Sequence, residues 1–254
     1  HHRSSAASDV YKRQALVAAR LCDVSPQGDS LLVSWGLFNL CHHRSHENPE
    51  PLIPNQKIHV EFPLRACAHR LLPGHRWRLS LSTSCFPHAW PSPELVELQV
   101  HPGNNTFLTL PVREKNDSQT PRFEPAESSI PLDNKILSQG RRNRVASRDA
   151  ANGKTVLEDQ NFSGRVLFQE SGLEMEDKAS DRLEITKDHP LSMITECQRT
   201  ASIGRGDWQT RIETKSRMTS DEMNFYLENH LEAYENDHVV FQKSWKTSVP
   251  RSFV

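Results

Sequence analysis

Apolar positions recur at every second residue along most of this chain. Ile58, Val60, Phe62 and Leu64 alternate with His59, Glu61 and Pro63. Trp77, Leu79 and Leu81 alternate with Arg78, Ser80 and Ser82, and the same period runs through Val96, Leu98 and Val100 and through Leu108, Leu110 and Val112. A period of two sends alternate side chains to opposite faces of a strand. Ala15 to Val24 and Leu31 to Trp35 read as two more strands. Pro26-Gln27-Gly28-Asp29 joins them, where proline presets φ and glycine permits a positive one. Pro51, Pro54, Pro73-Gly74, the cluster from Pro87 to Pro93 and Pro102-Gly103 separate the runs. Short strands at this spacing predict an antiparallel sandwich or barrel.

The last third has the same period over longer runs. Val166 and Phe168 open it, Leu183 and Ile185 follow, and Ser192 to Ser202 reads as extended and polar. Trp208, Thr210, Ile212 and Thr214 alternate with Gln209, Arg211, Glu213 and Lys215, after a turn at Gly204-Arg205-Gly206-Asp207. Met223, Phe225, Leu227 and Leu231 fall on one face against Asn224, Glu228 and Glu232. After the turn Glu235-Asn236-Asp237, Val239, Phe241, Trp245 and Val249 share a face with Lys243 and Thr247. Residues 158–254 are therefore expected to form an antiparallel β-meander with one wet face. Met223 to Tyr234 is rich in helix formers, but its period and flanking turns favour a strand. Residues 113–157 have only scattered apolar positions and are read as a polar linker. The basic run Arg141-Arg142-Asn143-Arg144 within it is expected to be a solvated loop.

Charge, cysteine count and the first residues limit the picture. The 254 residues carry a net charge of -1, which argues against a general nucleic-acid binder, and no apolar run reaches the ~20 residues of a membrane helix. Five cysteines with no CxxC pair argue against both a disulfide framework and a structural zinc site, and point to reduced thiols and a cytoplasmic location. Residues 1–14, HHRSSAASDVYKRQ, show no periodicity, and SSAASDVYKRQ looks like a translated sequencing-adapter remnant. They are read as a non-native segment and set aside from fold reasoning.

No nucleophile elbow, P-loop, dinucleotide fingerprint or H-E-x-x-H motif is present, so no catalytic, cofactor-binding or metal residue is assigned and no cofactor is expected. Cys41-His42-His43-Arg44-Ser45-His46-Glu47 concentrates metal-type side chains, but four ligands so close would strain a tetrahedral shell, and a polar loop is the preferred reading. His75 is a candidate general base. The favoured alternative pairs it, with Arg76, to backbone or carboxylates at the rim of the sandwich. Arg205-Gly206-Asp207 spells an adhesion tripeptide but falls in a turn, where Gly and Asp are expected. Asn104, Asn116 and Asn161 begin glycosylation sequons read as chance matches. Trp35, Trp77 and Trp90 fit either core packing or an aromatic binding platform.

One segment carries a resemblance. Ala19-Arg20-Leu21-Cys22-Asp23-Val24, Pro26-Gln27-Gly28 and Trp35-Gly36-Leu37-Phe38-Asn39-Leu40 with Arg44 come first. Pro51-Leu52-Ile53-Pro54, Phe62-Pro63-Leu64 and Leu72-Pro73-Gly74-His75-Arg76-Trp77-Arg78-Leu79-Ser80-Leu81-Ser82 follow, then Phe86-Pro87, Trp90-Pro91-Ser92-Pro93 and Leu110-Pro111-Val112. In this order and spacing, residues 15–112 resemble the C-terminal jelly-roll domain of the cocaine esterase and X-Pro dipeptidyl-peptidase family of serine hydrolases. Asn55 stands where the family usually has Gly. Gly204 to Trp208, Leu231 to Glu235, Trp245 and Pro250-Arg251 are similar to a β-rich extension found in a subset of these proteins. The resemblance implies an all-β chain: a partial, galactose-binding-like jelly roll lacking its first strands, a linker and a meander. It also implies an upstream α/β-hydrolase domain as partner. That domain would hold the catalytic triad and act on a small ester, amide or X-Pro peptide through an acyl-enzyme. On this reading the chain is an inactive fragment of an enzyme, bound to no nucleic acid or membrane, with a homo-oligomer left open. The rival reading is a carbohydrate- or small-ligand-binding module, which requires a flat exposed face of tryptophans.

Overall fold

The computed structural model describes residues 2–10, 13–103, 106–113 and 122–253. They fall into two compact units, one of His1–Pro121 with Ser252–Val254 and one of Arg122–Arg251.

The first unit is an all-β sandwich. Its strands are β1 (His2–Val10), β2 (Leu16–Val24), β3 (Ser30–Asn39), β4 (Lys57–Leu64), β5 (Arg76–Ser82), β6 (Leu98–His101) and β7 (Phe107–Thr109), with one 3-10 turn at Leu40–His42. One sheet has the order β4-β1-β6 with β7 also on β1, the other β3-β2-β5, and every pairing is antiparallel. The backbone of the segment set apart in the sequence is thus a strand, paired with β4 from His2 opposite Leu64 to Asp9 opposite Lys57. The core is what alternation demands. Val17, Ala19 and Leu21 of β2 cluster with Val60, Phe62 and Leu64 of β4, and Leu40, Cys41 and Leu52 close the cluster. A fully buried leucine such as Leu21 stabilises a fold by roughly 2–5 kcal/mol relative to alanine.

Two backbone details explain residues of the resemblance. A Cβ on Gly36 would lie 2.7 Å from the Pro63 carbonyl oxygen, so β3 and β4 approach one another only because the side chain is absent. Asn55 has φ 64°, the left-handed region that glycine adopts freely and asparagine tolerates, which accounts for asparagine at a glycine position.

The second unit is one eight-stranded sheet. Its strands are β8 (Asn134–Ser138), β9 (Arg141–Arg148), β10 (Lys154–Phe168), β11 (Leu173–Thr186), β12 (His189–Arg205), β13 (Trp208–Ser220), β14 (Asn224–Glu235) and β15 (His238–Pro250). They run as a meander from β15 to β10, with β8 and β9 both paired to β10. This corrects the reading of 113–157 as a linker. The backbone of 134–138, 141–148 and 154–157 is strand, and the run at Arg141 to Arg144 is an edge rather than a loop. An edge strand exposed on both faces needs no apolar alternation, so periodicity could not reveal it. The expected meander is present, and Met223 to Tyr234 lies in strand apart from its first residue. One detail differs: Ala233 faces Phe241 while Tyr234 faces Val239, so Val240 is bulged out and Val239 moves to the face opposite Phe241.

Register sorts the faces of this sheet. Directly opposed residues share a face. On one face Leu157, Leu183, Thr195, Met218 and Leu227 stand in line. On the other, Glu158, Arg182, Glu196, Arg217, Glu228 and Lys246 stand in line across six strands, with charges of alternating sign. Ion pairs join Arg182 to Glu158 at 3.4 Å, Arg217 to Glu196 at 3.5 Å and Lys246 to Glu228 at 2.7 Å. Both edges are basic, with Arg141, Arg142, Arg144 and Arg148 on β9 and Lys243 and Lys246 on β15, a composition that discourages pairing with further strands. Arg251 closes one end. It is 2% exposed, donates to the Ser220 hydroxyl and the Asp221 carbonyl at 3.2 Å each, and lies 4.7 Å from the Phe225 ring centroid. Burial pulls its pKa down to about 10.

The ladder makes a prediction. Arg217→Glu places three carboxylates side by side in the row, between Glu196 and Glu228, and is expected to cost about 1 kcal/mol of stability in denaturant unfolding. In 1 M salt most of that loss should vanish by screening. A salt-independent loss contradicts the electrostatic account.

Candidate functional site

Asp23 is the penultimate residue of β2, lies on the face of Leu21 and stands opposite Trp77 of β5. The loop between β4 and β5 supplies His69. Gly74, at φ 81°, makes the turn that places His75 at the foot of β5. His69 donates from Nε2 to Asp23 Oδ2 at 2.8 Å, and His75 donates from Nδ1 to Oδ1 at 2.7 Å. The carboxylate is 6% exposed and each imidazole 21%. The His69 ring also lies 5.6 Å from that of Trp77. Burial works to raise the pKa of Asp23. The hydrogen bonds and charges of His69 and His75 outweigh it and hold the carboxyl below its usual 3.8. The pairing of His75 with a carboxylate at the sandwich rim matches the sequence reading. His69 did not stand out there, because Cys67-Ala68-His69-Arg70 belongs to no periodic run.

An Asp-His pair is half of a hydrolytic triad, but the other half is missing. Among the described residues, neither imidazole hydrogen-bonds to a serine, threonine or cysteine, so no nucleophile is poised for activation. The arrangement instead ties β2, the β4–β5 loop and the start of β5 together. All five cysteines are free thiols. In the second unit burial first, and Asp181 next, raises Cys197 to about 11, so at neutral pH it is a thiol and a poor nucleophile.

The other candidates are explained by local structure. In the histidine-rich loop, His42 Nδ1 and His46 Nδ1 lie 3.2 Å apart, His43 Nδ1 bonds the Leu40 carbonyl at 2.8 Å, and Arg44 pairs with Glu50 at 3.0 Å. Among the described residues no three His, Cys, Asp or Glu side chains form a metal-type group. Trp35 has the Arg65 guanidinium 4.1 Å from its ring centroid and the His88 ring at 4.8 Å. Trp77 packs against the core cluster and Trp90 is half-buried, so the three rings offer no flat exposed platform. Arg205 ends β12 and Gly206 turns toward β13 at φ 59°. Asn161 lies on β10, while the sequons at Asn104 and Asn116 begin outside the described residues. No helix among the described residues is long and apolar enough to cross a membrane.

The clamp has a defined pH signature. A carboxyl whose pKa is lower when folded adds stability above its unfolded pKa and loses it as pH falls through the folded value. Asp23→Asn is therefore expected to lower the melting temperature at neutral pH and to flatten its decline below about pH 4. A variant with an unchanged acid limb would show that Asp23 is not a clamp. His75→Ala should reproduce the neutral-pH loss.

Comparison with known families places this geometry. Residues 5–123 match the family model of the X-Pro dipeptidyl-peptidase C-terminal non-catalytic domain, a span that opens inside β1 and closes after β7. No curated protein and no solved structure matches the chain. Over residues 5–123, a little under half of the chain, the first unit is similar to the X-Pro dipeptidyl-peptidase C-terminal non-catalytic domain.

Proposed function

We propose that this domain serves a serine hydrolase as a packing and cleft-shaping element, seated against an α/β-hydrolase domain that cleaves an ester, amide or X-Pro peptide bond. The observation that carries this reading is an unfinished apolar stripe on β5. Leu79 stands opposite Leu21 and Leu81 opposite Ala19, so both leucines point to the inner face of their sheet. Leu21 and Ala19 are fully buried, yet Leu79 and Leu81 remain 37% and 36% exposed because β5 is an edge strand of its sheet. Leu72, just before the β5 turn, is exposed as well. Apolar side chains in line with a core, on an edge strand, suit a neighbouring domain that continues that core. The match to a non-catalytic domain supports a partner that supplies the chemistry. The rival reading as a tryptophan-based binding module is disfavoured, because Trp35 and Trp77 are packed against neighbours.

Two measurements test the reading. The chain alone should turn over neither a chromogenic ester nor an X-Pro nitroanilide; turnover abolished by a serine-directed inhibitor would refute it. Added to the isolated α/β-hydrolase domain of a family enzyme, the chain should form a complex on gel filtration. A variant with Leu79→Glu and Leu81→Glu should keep its fold and fail to form it. Equal binding by that variant removes the β5 stripe as the contact.

A further inference from the structure

The polar face of the second unit holds a trough at right angles to its strands. The floor is a row of shorter uncharged side chains in register: Asn143 on β9, Gln160 on β10, Ser180 on β11 and Gln198 on β12. On one side, outside the hollow, runs the charged row of Glu158, Arg182 and Glu196, in which Arg182 pairs with Glu158. The wall that lines the hollow is the row of Arg141, Phe162, Lys178 and Thr200 on the other side of the floor. This hollow, open to solvent, has a volume of about 520 Å³. Gln198 also lines a second hollow of about 340 Å³, where Lys215, His230 and Ser244 continue the floor to β15. From β9 to β15 the floor crosses six strand gaps, roughly 29 Å at ~4.8 Å each, which suits an extended chain better than one small molecule.

The chemistry of the first hollow is specific. Among the described residues the side chains of Asn143, Gln160, Ser180 and Gln198 make no hydrogen bond within the protein, so their donors and acceptors are open to a ligand. Phe162 presents a half-buried ring, with the Lys178 ammonium 5.5 Å from its centroid; that ammonium also pairs with Glu176 at 2.5 Å, so a ligand carboxylate there would share it with Glu176 and rely chiefly on Arg141. Arg141 is exposed and, among the described residues, has no carboxylate partner; no carboxylate lines this hollow. Amides and hydroxyls in a row match a ligand rich in hydroxyl groups. The ring offers an apolar surface for the C–H face of a sugar, and the two cations match a carboxylate.

We propose that this trough binds an acidic oligosaccharide, with a uronate carboxylate between Arg141 and Lys178 and the following sugars along the amide row. A nucleic-acid strand fits less well. It would carry a phosphate at every step past Glu196 and Glu228, which flank the second hollow, and would find one aromatic ring where successive bases need several. This site is separate from the domain-packing role above and does not depend on it.

The test is calorimetric titration of the full chain with hexagalacturonate, cellohexaose and an oligothymidylate. Hexagalacturonate should bind, at least about tenfold more tightly than cellohexaose, since the charged contact distinguishes them. Arg141→Gln should weaken hexagalacturonate about five- to tenfold and leave cellohexaose unchanged, and Gln198→Ala should weaken both. Both residues are exposed, so unchanged melting curves verify folding. Absence of hexagalacturonate binding at millimolar concentration overturns the proposal. So does equal affinity for cellohexaose, indifference to both substitutions, or tighter binding of the oligothymidylate.

Discussion

Antiparallel register is the constraint on which the rest of this structure depends. Because opposed residues share a face, one alignment of two strands decides the side of every later residue. In the first unit it sends Val17, Ala19 and Leu21 inward to meet Val60, Phe62 and Leu64. In the second it lines up Glu158, Arg182, Glu196, Arg217, Glu228 and Lys246 on one face, and Leu157, Leu183, Met218 and Leu227 on the other. A slip of one residue between β11 and β12 would set Arg182 against Thr195 or Cys197 in place of Glu196 and break the ladder. Each exposed pair contributes little alone, but a row of alternating sign penalises every neighbouring register together.

The two units use the same constraint for different ends. The first builds a conventional core, with Asp23, His69 and His75 tying its rim where β2 ends and β5 begins. Its polar cluster joins one acid to two imidazoles and, among the described residues, to no nucleophile, which is the arrangement of a structural clamp. The second unit buries few side chains; among its described residues Leu157, Met193 and Phe225 are the buried apolar ones. Cross-strand pairs rather than a thick core set its order, and they leave open polar rows that side chains in a sandwich interior would have filled.

Much of this was legible in the sequence. The alternation at Ile58 to Leu64, Trp77 to Leu81 and Trp208 to Lys215 placed strands where they lie, and the motif from Leu72 to Ser82 falls within the span that matches the X-Pro dipeptidyl-peptidase C-terminal family model. What escaped was structure without alternation. Strand β9 is exposed at every position, so its basic run looked like a loop. Val240 is an extra residue in a ladder, and a bulge leaves no mark on a two-residue period. His75 was visible because a turn and a strand frame it; His69 reaches Asp23 across 46 positions from a stretch with no local pattern. Long-range pairing of that kind is a property of the fold and not of any short window.

Cross-strand nuclear Overhauser contacts across the second unit measure the register directly. The account requires contacts from Arg182 to both Glu158 and Glu196, and from Arg217 to both Glu196 and Glu228, with Leu183 meeting Leu157 on the other face. Contacts displaced by one residue along any of these strands would reverse its faces, and both the charge ladder and the polar trough would cease to exist.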